Sequence, residues 1–204
     1  MGTKLKYSVL GVLALLFCSC RQSLLTPAEY VSFIENKDNG FVKSAVIGDW
    51  MYKVQYRPST FIYLQEAKNH SFNKETYELR RKQLKGWIFF NVYTSHTKTS
   101  KMAPLRLISS NLDEYNSLLN YYLTQNKNNF MLYTPRDTVY PQVYVFENNY
   151  NLSPEDVFVV AFHLKDVQHD QPMVLAYNDE ILRAGIVKFS FTPEALEKEP
   201  SIHF

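Results

Sequence analysis

From residue 130 onward the chain breaks into short apolar runs separated by turn residues. This pattern narrows the available folds more than any other feature. The runs are residues 130–134, 139–147, 156–164, 173–177 and 185–191. They are enriched in valine, isoleucine, phenylalanine and tyrosine, side chains that suit a pleated, half-buried surface. Residues 157–162, Val-Phe-Val-Val-Ala-Phe, are apolar without a break, which predicts a central strand buried on both faces. The connections between runs are short, and short connections favour antiparallel pairing.

The first part of the chain mixes helix and strand signals. Thr26-Pro27-Ala28-Glu29 predicts a helix start, with Thr26 as cap, Pro27 at the first helical position and Glu29 closing a capping box. Tyr30, Phe33 and Ile34 share a face of that helix, and Gly40 is placed to end it. Residues 41–47 and 50–56 read as strands joined at Gly48-Asp49. Residues 61–68 and 73–85 read as helices, the second with Glu78 and Lys82 at a supporting spacing. Residues 87–95 read as a strand. Asn111 caps a helix whose Leu112, Tyr115, Leu119 and Tyr122 form one apolar stripe. Residues 193–204 read as a weakly structured tail with room for one helical turn.

These elements predict an α+β fold. Its antiparallel sheet is mostly C-terminal and packs against N-terminal and central helices. The composition agrees: 15 tyrosines and 14 phenylalanines, few glycines and no low-complexity tract.

The extreme N-terminus has a different character. Lys4 and Lys6 precede an apolar run over residues 7–17, and Arg21 closes it. The run is about half the roughly 20 apolar residues that a membrane-spanning helix needs, so it reads as a secretory signal. Its end, Ser19-Cys20, resembles a bacterial lipoprotein cleavage site. The resemblance covers about the first 20 residues. It implies that Cys20 is acylated after cleavage before it, and that the chain divides into a signal peptide (1–19), a lipidated cysteine with a short tether (20–25) and one globular domain (26–204). The other reading is an ordinary secretory signal that leaves Cys20 a free thiol.

The lipoprotein resemblance further implies a mature chain without a second cysteine, since Cys18 leaves with the signal. Loss of Lys4 and Lys6 lowers the basic count from 22 to 20, equal to the 20 acidic residues. A neutral balance supplies no global field for nucleic acid. Residues 21–25 fully extended reach at most about 17 Å, so the domain is expected to sit close to the bilayer. A partner surface is then expected near the start of the first helix, around Tyr30 and Phe33. Arg21-Gln22 after the cysteine carries no aspartate and no acidic run, a pattern that leans toward an outer membrane location facing the periplasm.

Few residues suggest chemistry. His163, Asp166, His169 and Asp170 are weak candidates for a metal site; they fall in a loop, where such residues serve solubility. Arg80, Arg81, Lys82 and Lys85 form a basic cluster that reads as a solvated helix face. Tyr121, Tyr122, Tyr140, Tyr144 and Tyr150 are candidate stacking platforms for sugars, or core residues. Asp137-Thr138-Val139 resembles an O-glycosylation signal of some Gram-negative bacteria, at Thr138. Asn69-His70-Ser71 and Asn151-Leu152-Ser153 match the N-glycosylation pattern, which a bacterial address makes accidental. The chain has no Gly-x-Ser-x-Gly elbow, His-Glu-x-x-His pair, phosphate-binding glycine loop or Ser-x-x-Lys. No catalytic residue and no cofactor is expected.

The resulting expectation is a lipid-anchored cell-envelope protein that acts without catalysis, as a binding or assembly module for a protein partner at the membrane. A glycan-binding accessory lipoprotein is the alternative, and a metal-dependent hydrolase built on the His163 region a more distant one. The anchor is directly testable. Cys20→Ala should abolish incorporation of radiolabelled palmitate and release the protein from membranes or stall its processing. Equal labelling of variant and wild type would overturn the assignment.

Overall fold

The capping box at Thr26 forms as the residues predict. Thr26 Oγ1 accepts from the Glu29 N–H at 3.3 Å and the Glu29 carboxylate accepts from the Thr26 N–H at 2.9 Å. The computed structural model describes residues 24–67, 72–99, 101–149, 152–164 and 171–204. Helix α1 is Pro27–Glu35, and a 3-10 turn at Lys37–Asn39 carries the chain to Gly40. Gly40 has φ 89°, and a Cβ there would lie 2.8 Å from the Ala195 Cβ. Both constraints demand glycine.

Strands β1 (Val42–Ile47) and β2 (Trp50–Arg57) form the expected hairpin, with Ile47 opposite Trp50. Gly48, at φ 61°, takes the first central place of the two-residue turn, where positive φ matches strand twist. Helices α2 (Ser59–Glu66) and α3 (Lys74–Gln83) follow, then β3 (Trp87–His96). A short helix α4 (Pro104–Ile108) precedes α5 (Leu112–Thr124), which Asn111 caps through the Glu114 N–H. The remaining elements are β4 (Phe130–Tyr133), β5 (Thr138–Val139), β6 (Val143–Glu147), β7 (Glu155–His163), β8 (Met173–Asp179), β9 (Gly185–Phe191) and α6 (Pro193–Leu196).

The fold is α+β with antiparallel sheets, as the sequence predicts, but the strands divide between two sheets. One has five strands in the order β1-β2-β3-β7-β6 and the other four, β5-β4-β8-β9. The first sheet draws three strands from before residue 100, so strand is less C-terminal than the sequence suggests. Residues 139–147 are not one strand. Val139 pairs with Leu132 in the smaller sheet, while Val143–Glu147 pairs with β7 in the larger. Pro141 lies between them and has no N–H to continue a ladder.

The sheets pack face to face. The inward side of the larger sheet carries Tyr52, Val54, Tyr56, Phe90, Val92, Phe158, Val160 and Phe162. The smaller sheet meets it with Phe130, Leu132, Leu175, Tyr177, Phe189 and Phe191. The ring of Phe130 stacks on Tyr177 at 4.3 Å, and Phe158 lies 5.7 Å from Tyr177 and 5.0 Å from Tyr122 of α5. Strand β7 is interior to its sheet, yet buried residues alternate with the half-buried Val157 and Val159. An antiparallel sheet needs only one covered face.

Three further expectations are corrected. Tyr30 is fully buried, its hydroxyl donating to Glu199 at 2.6 Å, so it offers no docking surface. Leu112, the first residue of α5, is 71% exposed rather than part of the buried stripe. The tail is held rather than loose. The Leu25 N–H donates to Ser201 O and the His203 N–H to Leu25 O, each at 2.9 Å, forming a parallel bridge with buried Ile202.

Two carboxyls lie inside the aromatic interior. Asp179 accepts from the Tyr52 hydroxyl and the Leu182 N–H, both at 2.8 Å. Asp156 accepts from the Leu105 N–H at 2.7 Å and sits opposite Thr94 across the β3–β7 ladder. Burial pushes the Asp156 carboxyl up to about 7, the Leu105 N–H opposes that rise, and the Asp179 charge adds to it. Unfolded, the group returns to the ordinary carboxylate range. The folded chain therefore binds this proton more tightly, and the stabilisation is complete below about pH 4. It is lost as pH rises to about 7, toward a limit of about 4 kcal/mol. Asp156→Asn keeps an acceptor for Leu105 and has no proton to lose. Urea denaturation should show its advantage over wild type growing between pH 4.5 and pH 8. A pH-independent difference would remove Asp156 as the cause.

Candidate functional site

The side of the larger sheet that faces away from the smaller one is the most distinctive surface on the molecule. Strand alternation places Val42, Ser44 and Val46 of β1 there, with Met51, Lys53, Gln55 and Arg57 of β2. Trp87, Phe89, Asn91 and Tyr93 of β3 share it, as do Val157 and Val159 of β7 and Val143 and Val145 of β6. The flanks are open to solvent: Val46 is 57% exposed, Met51 36%, Val143 39% and Val145 48%.

The centre of this face is a connected polar strip. Arg57 Nη1 donates to Asn91 Oδ1 at 3.1 Å and Nη2 to Gln65 of α2 at 2.8 Å. Asn91 Nδ2 donates to the Tyr93 hydroxyl at 3.0 Å. Lys53 pairs with Glu155 at 3.1 Å while its ammonium lies 4.1 Å from the Tyr93 ring centroid. Burial lowers the affinity of Arg57 for its proton, and the charges of Tyr93, Glu147 and Glu66 oppose that. Gln55 Nε2 and Arg57 Nε are buried donors without an acceptor among the described residues. A mixed aromatic and polar face with aliphatic flanks suits recognition of a partner surface.

Two clefts lie among the helices and the tail. An apolar groove of about 460 Å³ is lined by Pro27, Ala28 and Val31 of α1, by Leu64 of α2, and by Ala67 and Phe72. A polar cleft of about 480 Å³ includes Lys74, Tyr77 and Arg81 of α3, Ser59 and Thr60 of α2, and Glu199 in the tail.

The residues singled out in the sequence do not gather in one place. His163 is exposed at the end of β7, where its N–H donates to Gln142 Oε1 and its ring stands edge-on to Trp87 at 5.0 Å. Asp166, His169 and Asp170 lie outside the described residues, as do Cys20, Asn69, His70, Ser71, Tyr150 and Asn151. Among the described residues no three His, Cys, Asp or Glu side chains converge as metal ligands. The basic cluster is divided. Arg80 grips both carboxylate oxygens of Glu66, at 2.7 and 2.8 Å. Arg81 lies 3.8 Å from Glu78, which therefore pairs with Arg81 rather than the expected Lys82. Thr138 is exposed on β5.

The tyrosines proposed as sugar platforms are mostly structural. Tyr122 is fully buried, and the Tyr144 hydroxyl donates to Tyr122 O at 2.6 Å and accepts from Asn126. The Tyr121 hydroxyl donates to Glu180 and accepts from Asn129. Tyr140 alone of the described set is well exposed, at 58%. Asp156 and Asp179 are 4% and 0% exposed, sealed from any substrate. The sequence reading passed over Gln55, Arg57, Asn91 and Tyr93. Their signal was legible as strict alternation: Lys53, Gln55 and Arg57 face one way while Tyr52, Val54 and Tyr56 face the other. Among the described residues no helix is long and apolar enough to cross a membrane. No family model, no curated protein and no solved structure matches the chain.

Proposed function

We propose that this protein is a lipid-anchored component of the cell envelope, held at the outer membrane facing the periplasm, and that it binds or assembles with a protein partner without catalysis. The observation that carries the reading is the open face of the larger sheet. Aliphatic flanks around a polar and aromatic centre are the composition of a recognition surface, with an apolar margin to exclude water and planar polar groups to set register. The short tether after Cys20 supports the same reading, since it holds this face near a partner that shares the membrane.

A second reading draws on one feature of the same face. Amide and guanidinium groups beside Phe89 and Tyr93 also suit a glycan, through hydrogen bonds to hydroxyls and stacking on the rings. Binding of soluble glycan fragments that is lost in Tyr93→Ala would favour it.

The partner reading is tested with a photo-crosslinking residue placed at Val145 or Val46. These sit on opposite flanks, four strand spacings or about 19 Å across the sheet and four residues or about 13 Å along it. In intact membranes both positions should yield a discrete adduct of the same partner. Ile186, 55% exposed on the other sheet, should not. Lys53→Glu should reduce the yield at least fivefold while circular dichroism stays unchanged. Equal, diffuse labelling at all three positions would overturn the proposal.

A further inference from the structure

The apolar groove beside α1 is unlike the other surfaces of the chain. Among the described residues it is lined by Pro27, Ala28, Val31, Leu64, Ala67 and Phe72, none of which carries a polar side-chain atom. Its volume of about 460 Å³ falls within the range of small-molecule sites, roughly 300–1,000 Å³. Such a groove exposes hydrocarbon to water, a standing cost that an apolar occupant removes.

The position of the groove identifies the occupant. Two of its walls belong to the first turn of α1, and Thr26, which caps that turn, is the residue immediately before Pro27. Leu25 is fixed by its bridge to Ile202, two residues before the groove wall at Pro27. Cys20 is five residues upstream of Leu25, a contour of at most about 17 Å. An acyl chain on Cys20 is thereby tethered at an effective concentration in the millimolar range. Such a chain gains little by leaving bilayer hydrocarbon for protein hydrocarbon. The gain is that the half-buried Val31 and Phe72 leave water.

We propose that this groove seats one of the acyl chains carried by Cys20, an inference that rests on the reading of Cys20 as lipidated. Seating the chain draws the N-terminal end of α1 onto the membrane surface and fixes the orientation of the domain.

The test uses the full-length protein made in cells fed a palmitate analogue bearing a diazirine. Membranes are irradiated and crosslinked peptides mapped by mass spectrometry. The expected product joins the Cys20 peptide to a peptide containing Val31, Leu64 or Phe72 of the same chain. Ala28→Glu introduces a charge into the groove at an exposed position in the first turn, where the helix dipole favours an acid. It should cut that product at least tenfold while label incorporation and circular dichroism stay as in wild type. Label on Cys20 that crosslinks only outside the groove overturns this inference and leaves the lipid anchor standing. Absence of label from the wild-type chain overturns both. In a second arm the anchor is unlabelled and the diazirine is carried by phosphatidylcholine in vesicles. Groove labelling in that arm, without any from the anchor, assigns the groove to a bilayer lipid and overturns the proposal.

Discussion

The ring of Phe158 is the contact on which the rest of the interior depends. It projects from β7, the strand bounded by β3 and β6, and reaches five other rings. Tyr122 of α5 and Phe146 of β6 lie 5.0 and 5.3 Å away, Tyr177 and Phe130 of the smaller sheet 5.7 and 5.8 Å, and Tyr144 6.4 Å. One side chain thus joins both sheets and the longest helix. Aromatic pairs in such arrangements contribute about 0.5–1.5 kcal/mol beyond the area they bury. The inward side of the larger sheet is committed to this cluster, which leaves its other side free to serve as a surface.

Building an interior from tyrosine has a consequence for polarity. Each ring supplies apolar area and also a hydroxyl that must be satisfied once buried. The chain answers with Asp179 for Tyr52, the backbone carbonyl of Tyr122 for Tyr144, and Asn126 beside Tyr177, whose hydroxyl donates at 3.4 Å. Two hydroxyls, Thr94 Oγ1 and Tyr122 Oη, have no partner among the described residues. Both lie near Asp156: Thr94 faces it across the ladder, and its charge bears on Tyr122. The least satisfied part of the interior thus coincides with its most proton-avid carboxyl. Polar groups are retained there at a real cost in stability, and protonation of Asp156 is the state that lowers that cost.

The elements legible in the sequence were those specified locally. The α1 capping box, the Gly48-Asp49 hairpin, the Asn111 cap and the alternating strands are set by residues within a few positions of one another, and they form nearly where expected. What failed depends on distant partners. Residues 139–147 look continuous because pairing with β4 or with β7 leaves no mark on hydropathy, and only Pro141 hints at the break. Tyr30 has the spacing of a surface aromatic as well as of a core one. Its burial is decided by Glu199, 169 residues away. The candidate surface was half legible. Alternation in β2 and β3 predicts which residues face outward, but whether another layer covers that face is a tertiary fact. The groove was illegible, since Val31, Leu64 and Phe72 read singly as ordinary helix and loop residues.

The bridge between Leu25 and Ile202 ties these observations to the anchor. It joins the start of the described chain to its tail through two hydrogen bonds of 2.9 Å, and the stacking of Phe204 on Phe72 extends the same contact to the groove wall. Leu25 therefore belongs to the domain rather than to the tether, and the free length behind a lipidated Cys20 falls to residues 21–24. From Cys20 to the fixed Leu25 the chain extends at most about 17 Å, comparable with the roughly 16 Å radius of gyration of a domain this size. An anchor at Cys20 would keep the domain close to the membrane surface. Any force on the tether passes first into the bridge, then into α1 and the tail, whose Tyr30–Glu199 bond binds helix to tail a second time. The chain ends are thus secured at the point where the anchor would load them.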